Sequence, residues 1–237
     1  AEQQMIQDAV RKFSHAQILP HSRDWDHAQA FPRDLLYKMG DLGYLGVPVP
    51  EEYGGTGLDY ISEAIVFEEV GYADSSVRTT LSVQMSLVEL TILKWGTEEQ
   101  KQTYLPKLCS GESIGCFGLT EPDAGSDAGN IATTAKRDGD GWLLSGQKVW
   151  ISNGTWADIA IIFAQTDPGS KHRGMVAFLV DTKSPGYSSR KMHGKLGLHA
   201  SDTGELFLDN VRVPDSARLG EVGQGFEVAM SSLDNGR

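Results

Sequence analysis

Two stretches concentrate the side chains capable of chemistry: Cys116 to Asp127, CFGLTEPDAGSD, and Lys148 to Gly154, KVWISNG. The first reads as a short buried strand, Ile114 to Leu119, that stops at Glu121-Pro122 because proline lacks the amide donor a sheet needs. Behind it, Gly125 is free to take a positive φ, and the small residues let backbone amides approach a ligand closely. Thr120 and Ser126 add hydroxyls that donate or accept. The second stretch sets a flat aromatic, Trp150, two residues before another hydroxyl, Ser152, and then turns at Asn153-Gly154. A stacking plane, short donors and a small-residue concavity together suit a planar, polar ring cofactor with a phosphate tail. Taken singly, each feature has an ordinary explanation as a turn, a loop or a core tryptophan. Their joint occurrence, in order, is what points to a site.

The elements that must position these stretches come in two runs. In the first, Met5, Ile6, Ala9, Val10 and Phe13 fall at helical spacing before Pro20. His21 to Ala30 reads as polar and irregular. Pro32 opens a helix carrying Leu35, Leu36 and Met39, with Gly40 and Gly43 as its exit. Glu51 to Gly57 is a tight glycine-rich loop without the following Lys-Ser or Lys-Thr of a phosphate cradle. Tyr60 to Tyr72 reads as an amphipathic helix on Ile61, Ile65, Val66 and Val70, and Val77 to Trp95 as a longer central one. Ser82, Gln84 and Ser86 interrupt the latter as solvated or locally bonded polar positions. Thr97 and Gln100 have capping-box spacing. From Ile114 the pattern turns to short strands and turns, among them the hairpin signal Asp138-Gly139-Asp140-Gly141. Phe226 to Arg237 resumes helical spacing. Helices followed by strands at antiparallel spacing imply a segregated α+β fold.

Composition narrows the classes. The 237 residues permit one or two domains, and their net charge of −11 argues against nucleic acid or an anionic membrane as the main partner. No apolar run reaches the roughly 18 residues of a membrane span, and no signal-peptide pattern opens the chain. Cys109 and Cys116 lack metal spacing and read as buried thiols, consistent with a reducing compartment, either bacterial cytoplasm or mitochondrial matrix. His15, His21, His27, His193 and His199 lack the company of a metal site. No Gly-x-Ser-x-Gly elbow marks a hydrolase.

The pair GLTEPDAGSD and KVWISNG closely resembles the flavin-binding signatures of the acyl-CoA dehydrogenases. The likeness extends through YGGTG (Tyr53 to Gly57), KLGLHASDT (Lys195 to Thr203) and LDNGR (Leu233 to Arg237), nearest the short-chain, butyryl-type branch. It implies an N-terminal α-helical domain over 1–112, a middle antiparallel β-barrel over 113–216, and the first helix of a C-terminal helical domain over 217–237. It also implies FAD as cofactor, acyl-CoA as substrate, an electron-transferring flavoprotein as acceptor, and a homotetramer. The activity implied is α,β-dehydrogenation to trans-2-enoyl-CoA. The alternatives are an acyl-CoA oxidase-type flavoenzyme and a non-catalytic flavin- or CoA-binding fragment.

By the same resemblance, Phe117, Leu119 and Thr120 run along the flavin's pyrimidine edge and Gly125 and Ser126 meet the pyrophosphate. Trp150 covers one ring face, with Ile151 beside it and Ser152 at the N5 edge. Ser126, Asp234 and Arg237 contact CoA, and the basic loop Lys171-His172-Arg173 meets its 3′-phosphate. The base that takes the α proton is, in some branches, the residue before the arginine of Asp-x-x-Arg. Here that position is Gly236, which cannot serve, so the resemblance places no catalytic base within these residues.

Overall fold

The computed structural model describes residues 2–235. Its first layer is helical: α1 (Glu2–Gln17), α2 (Ser22–Ala28), α3 (Asp34–Asp41), α4 (Tyr60–Ala73), and α5 (Ser75–Ser82), which runs through a π-helical segment, Val83–Glu89, into α6 (Leu90–Trp95). Then comes α7 (Glu98–Cys109), whose start is closed by the Thr97–Gln100 capping box. Among the described residues, no helix is long and apolar enough to cross a membrane. The segment His21 to Ala30, read as irregular, is largely helical. Trp25 explains this: it stacks with His21 and meets Phe31 at 6.0 Å, and that tertiary contact holds seven residues of weak intrinsic pattern.

The buried face of α4 is not the one its apolar residues suggest. Ile61 is exposed, while Ser62, Glu63 and Glu69 join Val66 and Val70 inside. Both acids have reasons to be there. Arg11 of α1 grips Glu69 with two bonds, at 2.6 and 3.0 Å, and the Ser86 hydroxyl donates to Glu63 at 3.1 Å. Ser86 is therefore buried rather than solvated, and so is Gln84. The Gln84 amide donates to the carbonyls of Leu108 and Ser113 and accepts from Gly115 N–H at 2.8 Å, joining the helical layer to the first strand. At that junction a Cβ on Gly115 would stand 2.5 Å from Val88, so glycine permits the close approach.

The second layer is a sheet of eight strands: β1 (Gly115–Gly118), β2 (Thr134–Asp138), β3 (Gly141–Ser152), β4 (Ile159–Gln165), β5 (Met175–Asp181), β6 (Tyr187–Lys191), β7 (Thr203–Pro214) and β8 (Arg218–Leu219). Their order is β6-β7-β3-β2-β4-β5-β8, with β1 beside β4. An antiparallel barrel was expected; the sheet is mixed and open. β1 runs parallel to β4, because the chain leaves the helical layer into β1 and returns to the same edge only after the β2–β3 hairpin. β2 also meets β4 in parallel, at Thr134 and Gln165, and no pairing joins β6 to β8.

β4 and β5 are buried on both faces. Ile161, Phe163, Ala177 and Leu179 face the helices, while Ala160, Ile162, Val176 and Phe178 face a second core lined by β3 and β7. Such strands read as continuous apolar runs rather than alternating ones. Last comes α8 (Gly225–Asn235), which packs on β5 and the π segment. Two side-chain bonds hold it there, between the Thr91 and Ser232 hydroxyls at 2.6 Å and from Trp95 Nε1 to Ser231 at 2.9 Å.

One buried carboxyl group in the helical layer has no hydrogen-bond partner among the described residues. Glu89 is fully enclosed, and no described residue offers a hydrogen bond to either carboxylate oxygen. Burial, and then the neighbouring Glu63, push its pKa well above the ordinary range. A carboxyl that holds its proton more tightly when folded contributes stability below the usual Glu pKa, and that contribution is lost as pH rises through the raised value. Glu89→Gln should therefore flatten the decline of the unfolding free energy, measured in urea, as pH rises above the usual carboxylate range. An unchanged slope would show that another group carries the effect.

Candidate functional site

The strands and helices leave a cleft of about 330 Å³ between the two layers. It is walled by five segments: Val83 and Leu87 of the π segment, Phe117 and Leu119 at the end of β1, Thr120, Gly125, Ser126 and Ala128 in the loop after it, Trp150 to Ser152 in β3, and Met230 and Leu233 of α8. All eight residues read as ring- and phosphate-binding, Phe117, Leu119, Thr120, Gly125, Ser126, Trp150, Ile151 and Ser152, lie on this one cleft. Sequence separation between the two stretches is closed by the sheet, since β3 and the loop after β1 run side by side and Val149 N–H donates to the Thr120 carbonyl at 2.9 Å.

Trp150 owes its place to a bulge. β3 loses register with β7 between Lys148 and Ile151, and the bulge interrupts the alternation of faces along a strand. Lys148 and Ile151 are buried, while Trp150 is 63% exposed at the cleft mouth with φ +61. That backbone region costs a non-glycine residue about 1–2 kcal/mol, so neighbouring contacts must hold it.

They do so beneath the cleft. Lys148 is fully buried, its Nζ 2.7 Å from Glu121 Oε1 and 3.2 Å from the Leu119 carbonyl. Glu121 also accepts the amides of Ala132 at 2.5 Å and Thr133 at 3.0 Å. Burial pulls the Lys148 ammonium down to about 8 against the attraction of Glu121. For Glu121 burial acts in the opposite sense, but Lys148 and the amide donors outweigh it and hold the carboxyl below its ordinary value. Both groups are thus ionised at neutral pH. After Ser152, the Asn153 side chain donates to the Gly115 carbonyl at 3.1 Å and pins the turn to β1.

Other expectations change. Gly125 does not adopt a positive φ; the loop turns without it, and the Glu121–Ala124 backbone pair closes the turn instead. What glycine provides there is space, since an added Cβ meets no atom within 4 Å. Asp234 is exposed on α8 and does not line the cleft, and Arg237 and Gly236 lie outside the described residues. Lys171 and His172, by contrast, sit beside Ser126, Phe226 and Met230 around a neighbouring hollow of about 190 Å³. The residues missed in sequence are Lys148 and Glu121 behind the cleft, and Val83, Leu87, Ala128, Met230 and Leu233 on it. A lysine inside the apolar run of β3 was the available signal for the first.

The fold is a layer of helices over an open mixed sheet, with a cleft between them walled by an exposed aromatic, small residues and hydroxyls. Residues 1–112 match the family described as acyl-CoA dehydrogenase, N-terminal domain, and residues 116–211 its middle domain. The chain is 44% identical over 234 residues to a mitochondrial short-chain specific acyl-CoA dehydrogenase of Bos taurus, covering 99% of this chain and 57% of that protein. It is 44% identical over 240 residues to a glutaryl-CoA dehydrogenase of Desulfococcus multivorans, covering 100% and 61%. Its fold is similar, with a TM-score of 0.93 and 41% identity, to a glutaryl-CoA dehydrogenase from Mycobacterium smegmatis in complex with FADH2, covering 100% and 59%. The chain belongs to the acyl-CoA dehydrogenase family, and it spans 57 to 61% of the length of these relatives.

The open space at Gly125 makes a separable test. Gly125→Ala should change stability by no more than about 0.5 kcal/mol in thermal denaturation, while its methyl group narrows the cleft and weakens whatever binds there. A large loss of stability would show that the loop depends on glycine after all.

Proposed function

We propose that these residues form the FAD cradle and part of the acyl-CoA surface of an acyl-CoA dehydrogenase. The reaction converts a short- or medium-chain acyl-CoA to the trans-2-enoyl-CoA, and an electron-transferring flavoprotein accepts the electrons. One observation carries the reading: Trp150 is held exposed in a left-handed backbone at the mouth of a cleft whose hydroxyls, on Thr120, Ser126 and Ser152, have no side-chain hydrogen bond among the described residues. Unspent donors and an apolar plane facing one space are what a polar ring requires. The residues present therefore fit FAD, which when bound supplies the hydride acceptor.

In this reading Trp150 covers one ring face, Ser152 donates at its N5 edge with Ile151 beside it, and Phe117, Leu119 and Thr120 present backbone groups to the pyrimidine edge. Gly125 and Ser126 take the pyrophosphate. Ser126, with Lys171 and His172 beside it, leads toward CoA, and Asp234 is assigned there with Arg237. Val83, Leu87, Met230 and Leu233 keep water from the reacting carbons. No carboxylate lines the cleft among the described residues, so the base for the α proton is assigned outside them. Assembly as a homotetramer belongs to the same reading.

A glutaryl-CoA specificity is the second reading, because a relative named for it is as similar as the short-chain one. Anaerobic titration of the full-length holoprotein separates them: flavin bleaching by butyryl-CoA but not glutaryl-CoA favours the first. Oxygen uptake during turnover would point instead to an oxidase. Trp150→Ala should weaken FAD retention about tenfold, given that an aromatic stack is worth about 0.5–1.5 kcal/mol beyond its buried area. Full FAD occupancy with an unchanged visible spectrum would remove Trp150 from the site.

A further inference from the structure

Resting on the reading that FAD occupies the cleft, we propose that Lys148 and Glu121 are positioning residues for it: a buried ion pair that touches no ligand but sets both lips of the cleft. Neither residue lines the cleft. Together they join the two stretches that carry the ring- and phosphate-binding residues. Lys148 and Val149 hold three consecutive residues of the other stretch, through the Leu119 carbonyl at 3.2 Å, the Thr120 carbonyl at 2.9 Å and the Glu121 carboxylate at 2.7 Å. Glu121 in turn accepts the Ala132 and Thr133 amides where the chain approaches β2. Its backbone pairs with Ala124 at 3.0 and 3.2 Å, which closes the turn and leaves Gly125 and Ser126 facing the cleft.

The pair also determines the bulge. In an unbroken strand, Trp150 would share the inward face of Lys148, two residues before it. A charge held inside by Glu121 cannot be moved out by a register slip without leaving the carboxylate buried and unpaired. The extra residue is therefore absorbed between Lys148 and Ile151, and Trp150 turns outward. The ion pair thus selects the one register in which Trp150 faces the cleft and the Thr120 segment is drawn against β3.

A purely structural role and a positioning role separate in a charge-free core. Lys148→Met alone strands a buried carboxylate and is expected to destabilise, so the informative protein is Lys148→Met/Glu121→Gln, which removes both charges at similar volume while a side-chain oxygen still accepts the Ala132 and Thr133 amides. In the full-length protein the double variant should recover most of the parent's urea midpoint yet bind FAD at least tenfold more weakly. Recovery of both stability and FAD affinity would overturn the proposal. A second readout needs no cofactor: the near-ultraviolet circular dichroism that Trp150 contributes, isolated by comparing each apoprotein with its Trp150→Phe counterpart. This contribution should collapse in the double variant, and its persistence would also overturn the proposal. Should the parent fail to bind FAD at all, the cofactor reading fails, while the dichroism comparison still decides whether the pair sets Trp150.

Discussion

The Lys148–Glu121 pair is the contact on which the arrangement of the cleft depends. Two charges removed from water are repaid by their attraction only if the rest of their hydrogen-bonding capacity is also met. Here it is met, by the Leu119 carbonyl on the lysine and by two backbone amides on the carboxylate. Such a pair adds little net stability compared with an apolar core, yet it tolerates no shift of register. It joins the end of β1, the approach to β2 and the middle of β3, three segments that the sheet alone would leave adjustable relative to one another.

Around that contact, packing does the rest. β4 and β5 are buried on both faces, so they fix the distance between the helical layer and the second core. β1 lies parallel to β4 and is tied to the central helix by Gln84, which brings the π segment over the end of β1. α8 closes the remaining side, held through Ser231 and Ser232. The cleft is the space left where these layers cease to touch.

Much of this was legible in sequence wherever the signal is local. The Thr97 capping box and the Asp138–Gly141 hairpin each depend on neighbours in the chain, and each stands where the pattern put it. The two motif stretches likewise fall on one cleft. What the pattern did not carry depends on distant partners. Glu63 and Glu69 are inside because Ser86 and Arg11 meet them. Parallel pairing of β1 with β4 follows from the path of the chain across the sheet, to which strand periodicity is blind. Trp150 looked equally suited to a core, and only the bulge, itself a consequence of Lys148, turns it outward.

Three departures from local rules meet at the cleft. A tryptophan with positive φ, a fully buried lysine and a π-helical stretch in an otherwise regular helix all belong to walls of the same cleft or lie directly behind them. Sequences selected for stability alone would have no reason to gather such features in one place, whereas strained backbone and buried charge persist where a site must hold a fixed shape. Their convergence, which owes nothing to similarity with other proteins, marks the space between Trp150 and α8 as the part of the molecule whose geometry is maintained against local preference.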